Sequence, residues 1–103
     1  MIILLIDTTN NKEILVGLKI DGKEFIEKKP LDTRKAQVVL PMLENMLQKH
    51  RLHLQNISAI EVNPGPGSFT GIRVGLSIAN TLGFLLKIPV NGSKIDEPAK
   101  AVY

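Results

Sequence analysis

A chain of 103 residues that is 44% hydrophobic and 22% charged has the composition of one globular domain. Cysteine is absent, which excludes a disulfide framework, a thiolate zinc site and a thiol nucleophile. The net charge of +3 is a mild excess, without the basic stripe of nucleic-acid binders, and its one dense cluster, "KHRLH" at residues 49–53, reads as cations at a helix C-terminus.

In chain order, "MIILLI" is too short for a signal peptide or a membrane span, so the chain is expected to be cytoplasmic and without a membrane contact. With Asp7 it reads as a strand covered on both faces. "TTNN" supplies a turn, and "KEILVGLKI" a second strand with Ile14, Val16, Leu18 and Ile20 on one side. Asp21-Gly22 is a two-residue hairpin signal, because both positions tolerate positive φ. "KEFIEKK" returns as the third strand, closed by Pro30. Asp32 or Thr33 is placed to cap a helix that turns Val39, Leu43, Met46 and Leu47 inward and ends near Leu52, with Pro41 in its first turn or at a mild kink.

"NISAIEVN" reads as a fourth strand, followed by a glycine loop, a second helix from about Phe69 to Lys87, and a brief fifth strand at "IPVNG". The interrupted apolar run over residues 69–90 carries Arg73, Asn80 and Lys87, which marks a buried helix. Residues 93–103, "SKIDEPAKAVY", are mostly polar and are expected to form a flexible tail or a single turn beyond one domain at residues 1–92. Right-handed crossovers then predict an α/β fold with a mixed five-stranded sheet in the order 3-2-1-4-5 and both helices on one face.

The loop "NPGPGSFTG" fails both common phosphate motifs. The sixth position of a dinucleotide fingerprint is Thr70 rather than glycine, and no lysine follows Gly71 as a triphosphate loop requires. An anion on the helix N-terminus, met by Gly67, Ser68 and Thr70, is the weaker chemical reading. The plainer one is that Ser68 caps the helix and the glycines serve packing. Inside the helix Gly71, Gly75, Ala79 and Gly83 recur every four residues as a smooth ridge. Each interior glycine costs about 1 kcal/mol against alanine, so close approach by another element is the expected return. Asp7 reads either as a turn former bonded toward Thr9 or as a carboxylate near a phosphate or metal. His50 and His53 lack a third ligand and read as exposed residues at a helix end; Ser68 and Ser77 have no base nearby. No catalytic set, metal site or cofactor is expected.

"MIILLIDTT", "QVVLPMLENML" and "AIEVNPGPGSFTGIRVGLSIANTLGF" together resemble the N-terminal half of the TsaB (YeaZ-type) family, over roughly residues 1–92. That family helps to make threonylcarbamoyladenosine in transfer RNA. The resemblance implies a ribonuclease-H-like half of the actin and sugar-kinase superfamily. It also implies a non-catalytic partner and activator of a TsaD-type threonylcarbamoyl transferase subunit, with transfer RNA met only indirectly and contact made through the two helices. On that reading the interface, to a second copy or to the transferase, comprises Val39, Leu43, Met46, Gly71, Ile72, Gly75, Ala79 and Gly83. The alternatives are a nucleotide-binding or hydrolysing domain using Asp7 and the loop from Gly65 to Gly71, and a homo-oligomer with no part in transfer-RNA modification. The superfamily usually carries a glycine in its first phosphate loop, and relatives often show His with Ser or Thr in the stretch "DTRKAQ"; here Thr8-Thr9-Asn10-Asn11 and Lys35-Ala36 stand instead, so no role of those residues carries over.

Overall fold

The hairpin turn sets the register of the first sheet half. Asp21 and Gly22 take φ of +50° and +87°, so β2 (Glu13–Ile20) and β3 (Lys23–Pro30) pair directly from Ile20 opposite Lys23. The structure is a computed structural model that describes residues 1–30 and 35–103; the expected caps Asp32 and Thr33 lie outside the described residues. β1 (Ile2–Asp7) pairs antiparallel with β2 and parallel with β4 (Ala59–Val62), giving a four-stranded mixed sheet in the order β3-β2-β1-β4.

The expected fifth strand is a correction. It shrinks to one parallel bridge between Ile60 and Val90, in the place foreseen for it beside β4. Pro89 has no amide to give a ladder, and Asn91 and Gly92 turn the chain away at φ of +53° and +72°. The Asn91 side chain then stands in for a strand residue: its Oδ1 accepts from the Val62 amide at 2.8 Å and its Nδ2 donates to the Val62 carbonyl at 2.9 Å.

Side-chain alternation divides the sheet. Leu4, Ile6, Ile14, Val16, Leu18, Ile60 and Val62 share one face and are all buried. Helices α1 (Lys35–Lys49) and α2 (Phe69–Leu86) cover that face, α1 with Val39, Met42, Leu43, Met46 and Leu47, α2 with Ile72, Leu76 and Ala79. On the other face Leu5 and Leu15 are half-buried and Ile26 is exposed, so β1 is covered on one side rather than on both. By length and apolarity α2 would pass for a membrane span, yet its glycine-bearing side is seated on the sheet.

Helix ends follow local stereochemistry. α1 stops at Lys49, short of the expected Leu52, because Arg51 takes φ of +55° and the Leu52 amide turns back to the Leu47 carbonyl at 2.8 Å. Lys49, in the last turn, bonds Glu27 on β3, in keeping with a cation at a helix C-terminus. Pro41 lies inside the helix rather than in its first turn, on the exposed side. A short 3-10 helix, Leu54–Asn56, joins α1 to β4. Residues 93–103 form no strand or helix, but they are anchored: Asn80 pairs with Ala99, Val102 with the Pro64 carbonyl, and Tyr103 stacks on Phe69.

α2 approaches β1 at a seam of small groups. The Thr8 hydroxyl, fully buried, donates to the Gly71 carbonyl at 2.5 Å, and a Cβ on Gly75 would collide with that same hydroxyl. A Cβ on Gly83 would meet the Val90 side chain. Gly75→Ala gains about 1 kcal/mol of helix propensity. The clash costs about 1–3 kcal/mol, because the hydroxyl is pinned by its own bond and has no room to give. Gly75→Ala is therefore expected to lower the thermal midpoint in the wild-type background and to lose that penalty once Thr8→Ala is added. A double-mutant cycle of thermal melts checks this coupling.

Candidate functional site

Two loops meet at the C-terminal ends of β1 and β4. Asp7 ends β1, and its Oδ1 accepts from the Thr9 amide at 2.9 Å and from the Thr9 hydroxyl at 2.7 Å. Its Oδ2 accepts from Asn63 Nδ2 at 3.1 Å, and the Asn63 Oδ1 in turn accepts from the Gly65 amide at 3.0 Å. The turn-forming reading of Asp7 is the one the geometry bears out. Burial pushes the Asp7 carboxyl up, but the bonds from the Thr9 amide, the Thr9 hydroxyl and Asn63 outweigh it and hold the group below its ordinary value of 3.8.

The glycine loop is seated on this network. Gly67 lies against the Thr9 backbone, where a Cβ would stand 2.6 Å from the Thr9 carbonyl, and the Ser68 amide donates to that carbonyl at 2.7 Å. Ser68 caps α2 by accepting from the Gly71 amide at 3.3 Å. Gly65, at φ +118°, leaves no space for a Cβ beside the Val102 carbonyl.

An open cleft of about 790 Å³ lies beside the joined loops, lined by Asp7, Thr9, Lys12, Gly67 and Ser68 among others. Of the candidate anion set, Gly67 and Ser68 reach this cleft. Thr70 does not: it lines a different hollow on the outside of α2 with Phe69, Arg73, Val74, Ser77 and Ile78. A third hollow, of about 740 Å³, lies on the uncovered sheet face over Leu5, Leu15 and Ile26, between Asp7, Glu24 and Glu61.

The eight expected interface residues are all buried within this chain. Val39, Leu43, Met46, Ile72 and Ala79 are buried in the chain's own core, and Gly71, Gly75 and Gly83 are buried along the seam to β1 and Val90. The ridge does serve close approach, but the approaching element is this chain's own sheet. Away from that seam α2 carries Val74 and Ile78, half-buried, the latter packed against the core, and Phe84 and Leu85, 59% and 67% exposed. On α1 the corresponding apolar residues are Val38, half-buried, and Leu40, 50% exposed.

The histidines divide. His53 is exposed as expected, whereas His50 is half-buried with its ring 4.4 Å from that of Phe25. Among the described residues no three His, Cys, Asp or Glu side chains converge on a metal position. Sequence reasoning missed Thr8 and Asn63, which hold the two loops together. Their one visible signal is a polar residue directly after each buried strand.

Residues 31–93 match the family model described as TsaD: tRNA N6-adenosine threonylcarbamoyltransferase. The chain is 35% identical over 92 residues to the tRNA threonylcarbamoyladenosine biosynthesis protein TsaB of Escherichia coli, covering 89% of this chain and 39% of that protein. It is 36% identical over 93 residues to the TsaB of Bacillus subtilis, covering 88% and 40%. Its fold matches YeaZ from Pseudomonas aeruginosa with a TM-score of 0.82 at 29% identity, over 90% of this chain and 43% of that one. The chain thus spans about 40% of the length of these curated relatives.

The Asp7 network generates a pH signature. A carboxyl lowered in the folded state binds its proton more readily in the unfolded chain, so its contribution to stability is whole above about pH 5 and is lost as pH falls through 3.8 and below. Asp7→Asn also sets an amide NH2 against Asn63 Nδ2, leaving one donor unpaired, at roughly 1–3 kcal/mol. Thermal melts are expected to show the variant less stable at neutral pH, with the gap to wild type closing as pH falls below 3.8. A gap that stays constant from neutral to acid pH would overturn this assignment.

Proposed function

The chain belongs to the tRNA N6-adenosine threonylcarbamoyltransferase family as a TsaB/YeaZ homologue over 90% of its length, and from that membership we propose that it is a non-catalytic subunit of threonylcarbamoyladenosine synthesis. Its role is to bind a TsaD-type transferase subunit in the cytoplasm and support that subunit's reaction; transfer RNA is met only through the partner. The observation that carries the reading is the apolar outer side of α2. Val74 and Ile78 line a hollow on the outer side of α2, Ile78 also packing against the core, and Leu85 is exposed; on α1 Leu40 is exposed too. An apolar side on paired helices is the natural surface for another pair of helices, and a two-fold homodimer would use the same surface.

A second reading, a nucleotide-binding domain, draws support from the cleft that brings Asp7 beside Gly67 and Ser68. It is the weaker one. Both Asp7 oxygens are already engaged by Thr9 and Asn63, and the Ser68 amide and hydroxyl already serve Thr9 and Gly71.

Purified chain mixed with a TsaD-type transferase is expected to form a complex in sedimentation. Ile78→Glu and Leu85→Glu are each expected to weaken it at least about tenfold, some 1.4 kcal/mol, with the thermal midpoint unchanged for the exposed Leu85. Self-association alone, with no affinity for the transferase, would favour the unrelated homo-oligomer, and a chain that stays monomeric and binds nothing would end the interface reading. Calorimetric titration with Mg-ATP is expected to give no saturable heat; a micromolar isotherm abolished by Asp7→Asn would move the assignment to the nucleotide reading.

A further inference from the structure

Residues 96–103 run back along α2 against the direction of the helix. At its C-cap, Lys87 Nζ donates to Asp96 Oδ1 at 3.1 Å. About two turns earlier, Asn80 brackets Ala99, donating to its carbonyl at 3.0 Å and accepting from its amide at 2.8 Å. The Val102 amide donates to the Pro64 carbonyl at 2.7 Å. At the first residue of the helix, the Tyr103 ring stacks on Phe69 with 4.8 Å between centroids.

Almost every polar contact in this strap is to its backbone. Asn80 satisfies both polar groups of one residue, and Pro64 takes a third, so any extended peptide offers what these groups read. Selectivity falls to side chains. Ala99 and Ala101 are two apart, partly buried against the core, and small enough to let the strap lie close. Phe69, which also carries the Arg73 guanidinium at 5.3 Å, presents a ring for an aromatic residue to stack on. The strap leaves the sheet through Asn91 and Gly92 at positive φ and contributes no strand or helix of its own.

We propose that the groove between α2 and the Pro64 loop is a peptide-docking site, filled in this structure by the chain's own residues 98–103, and that it accepts from another molecule an extended segment with small side chains at alternate positions followed by an aromatic residue. The strap is then a ligand held in cis. A peptide in trans competes against a local concentration on the order of millimolar, which keeps the site closed to weak ligands.

The test uses the full-length chain and, as probe, a dye-labelled peptide of sequence EPAKAVY. Ala99→Pro removes the amide that Asn80 accepts and loosens the strap while leaving the groove intact. Fluorescence anisotropy is expected to show saturable one-to-one binding, at least about tenfold tighter to Ala99→Pro than to wild type. Adding Asn80→Ala to that variant is expected to weaken it again by about tenfold or more. Equal affinity for wild type and Ala99→Pro, indifference to Asn80→Ala, or no saturable binding overturns the proposal. For the case that Ala99→Pro fails to fold, amide hydrogen exchange on the wild-type chain decides. Excess unlabelled peptide is expected to speed exchange at Ala99 and Val102 at least about tenfold without affecting Val62 in β4; unchanged rates at Ala99 and Val102 overturn it.

Discussion

The seat of α2 on the end of β1 is the contact on which the other features of this chain rest. Thr8 is fully buried, its hydroxyl is bound to the Gly71 carbonyl, and Gly75 passes directly over it. That approach fixes the height of α2 above the sheet, and with it the burial of Ile72, Leu76 and Ala79. It also fixes where the glycine loop must run, because Gly67 and Ser68 are tied to Thr9, the next residue of the same turn. A side chain at Gly75 would lift the helix and loosen both ends of this arrangement.

Asparagine amides do much of the remaining joining. Asn63 links Asp7 to the Gly65 amide, Asn91 occupies the edge of β4 as a strand residue would, and Asn80 does the same for the backbone at Ala99. A planar amide carries a donor and an acceptor side by side, so it can match one residue of extended backbone. The device suits a small domain, since one side chain closes an edge that would otherwise need another strand.

The sheet is finished on one side only. Both helices cover the Leu4, Val16 and Ile60 face, while Leu5, Leu15 and Ile26 on the other face remain accessible. The chain spans about 40% of the length of its longer relatives. Among the described residues two carboxyls, Asp7 and Asp21, are held below their ordinary value, and Asp7 is tied into a turn; along the helices Leu40, Phe84 and Leu85 are exposed.

The sequence by itself determined the elements, the hairpin register and the strand order from β3 to β4, because each depends on local or period-two patterning: Asp21-Gly22 for the turn, Ile14 to Ile20 for the face, and the crossovers for the parallel pair. It also singled out the four-residue ridge of α2 and read it rightly as a surface for close approach. Only the tertiary structure decided what approaches it, since a helical stripe names a face and not the neighbour across it. The partner is this chain's Thr8, Val62 and Val90, and the large apolar residues that α2 leaves exposed are Phe69, Phe84 and Leu85 instead. The shrinking of the expected fifth strand to one bridge and the anchoring of residues 96–103 escaped the sequence for the same reason. Pairing of Asn91 with Val62 and of Asn80 with Ala99 spans 29 and 19 residues, and no window of sequence contains both halves of such a bond.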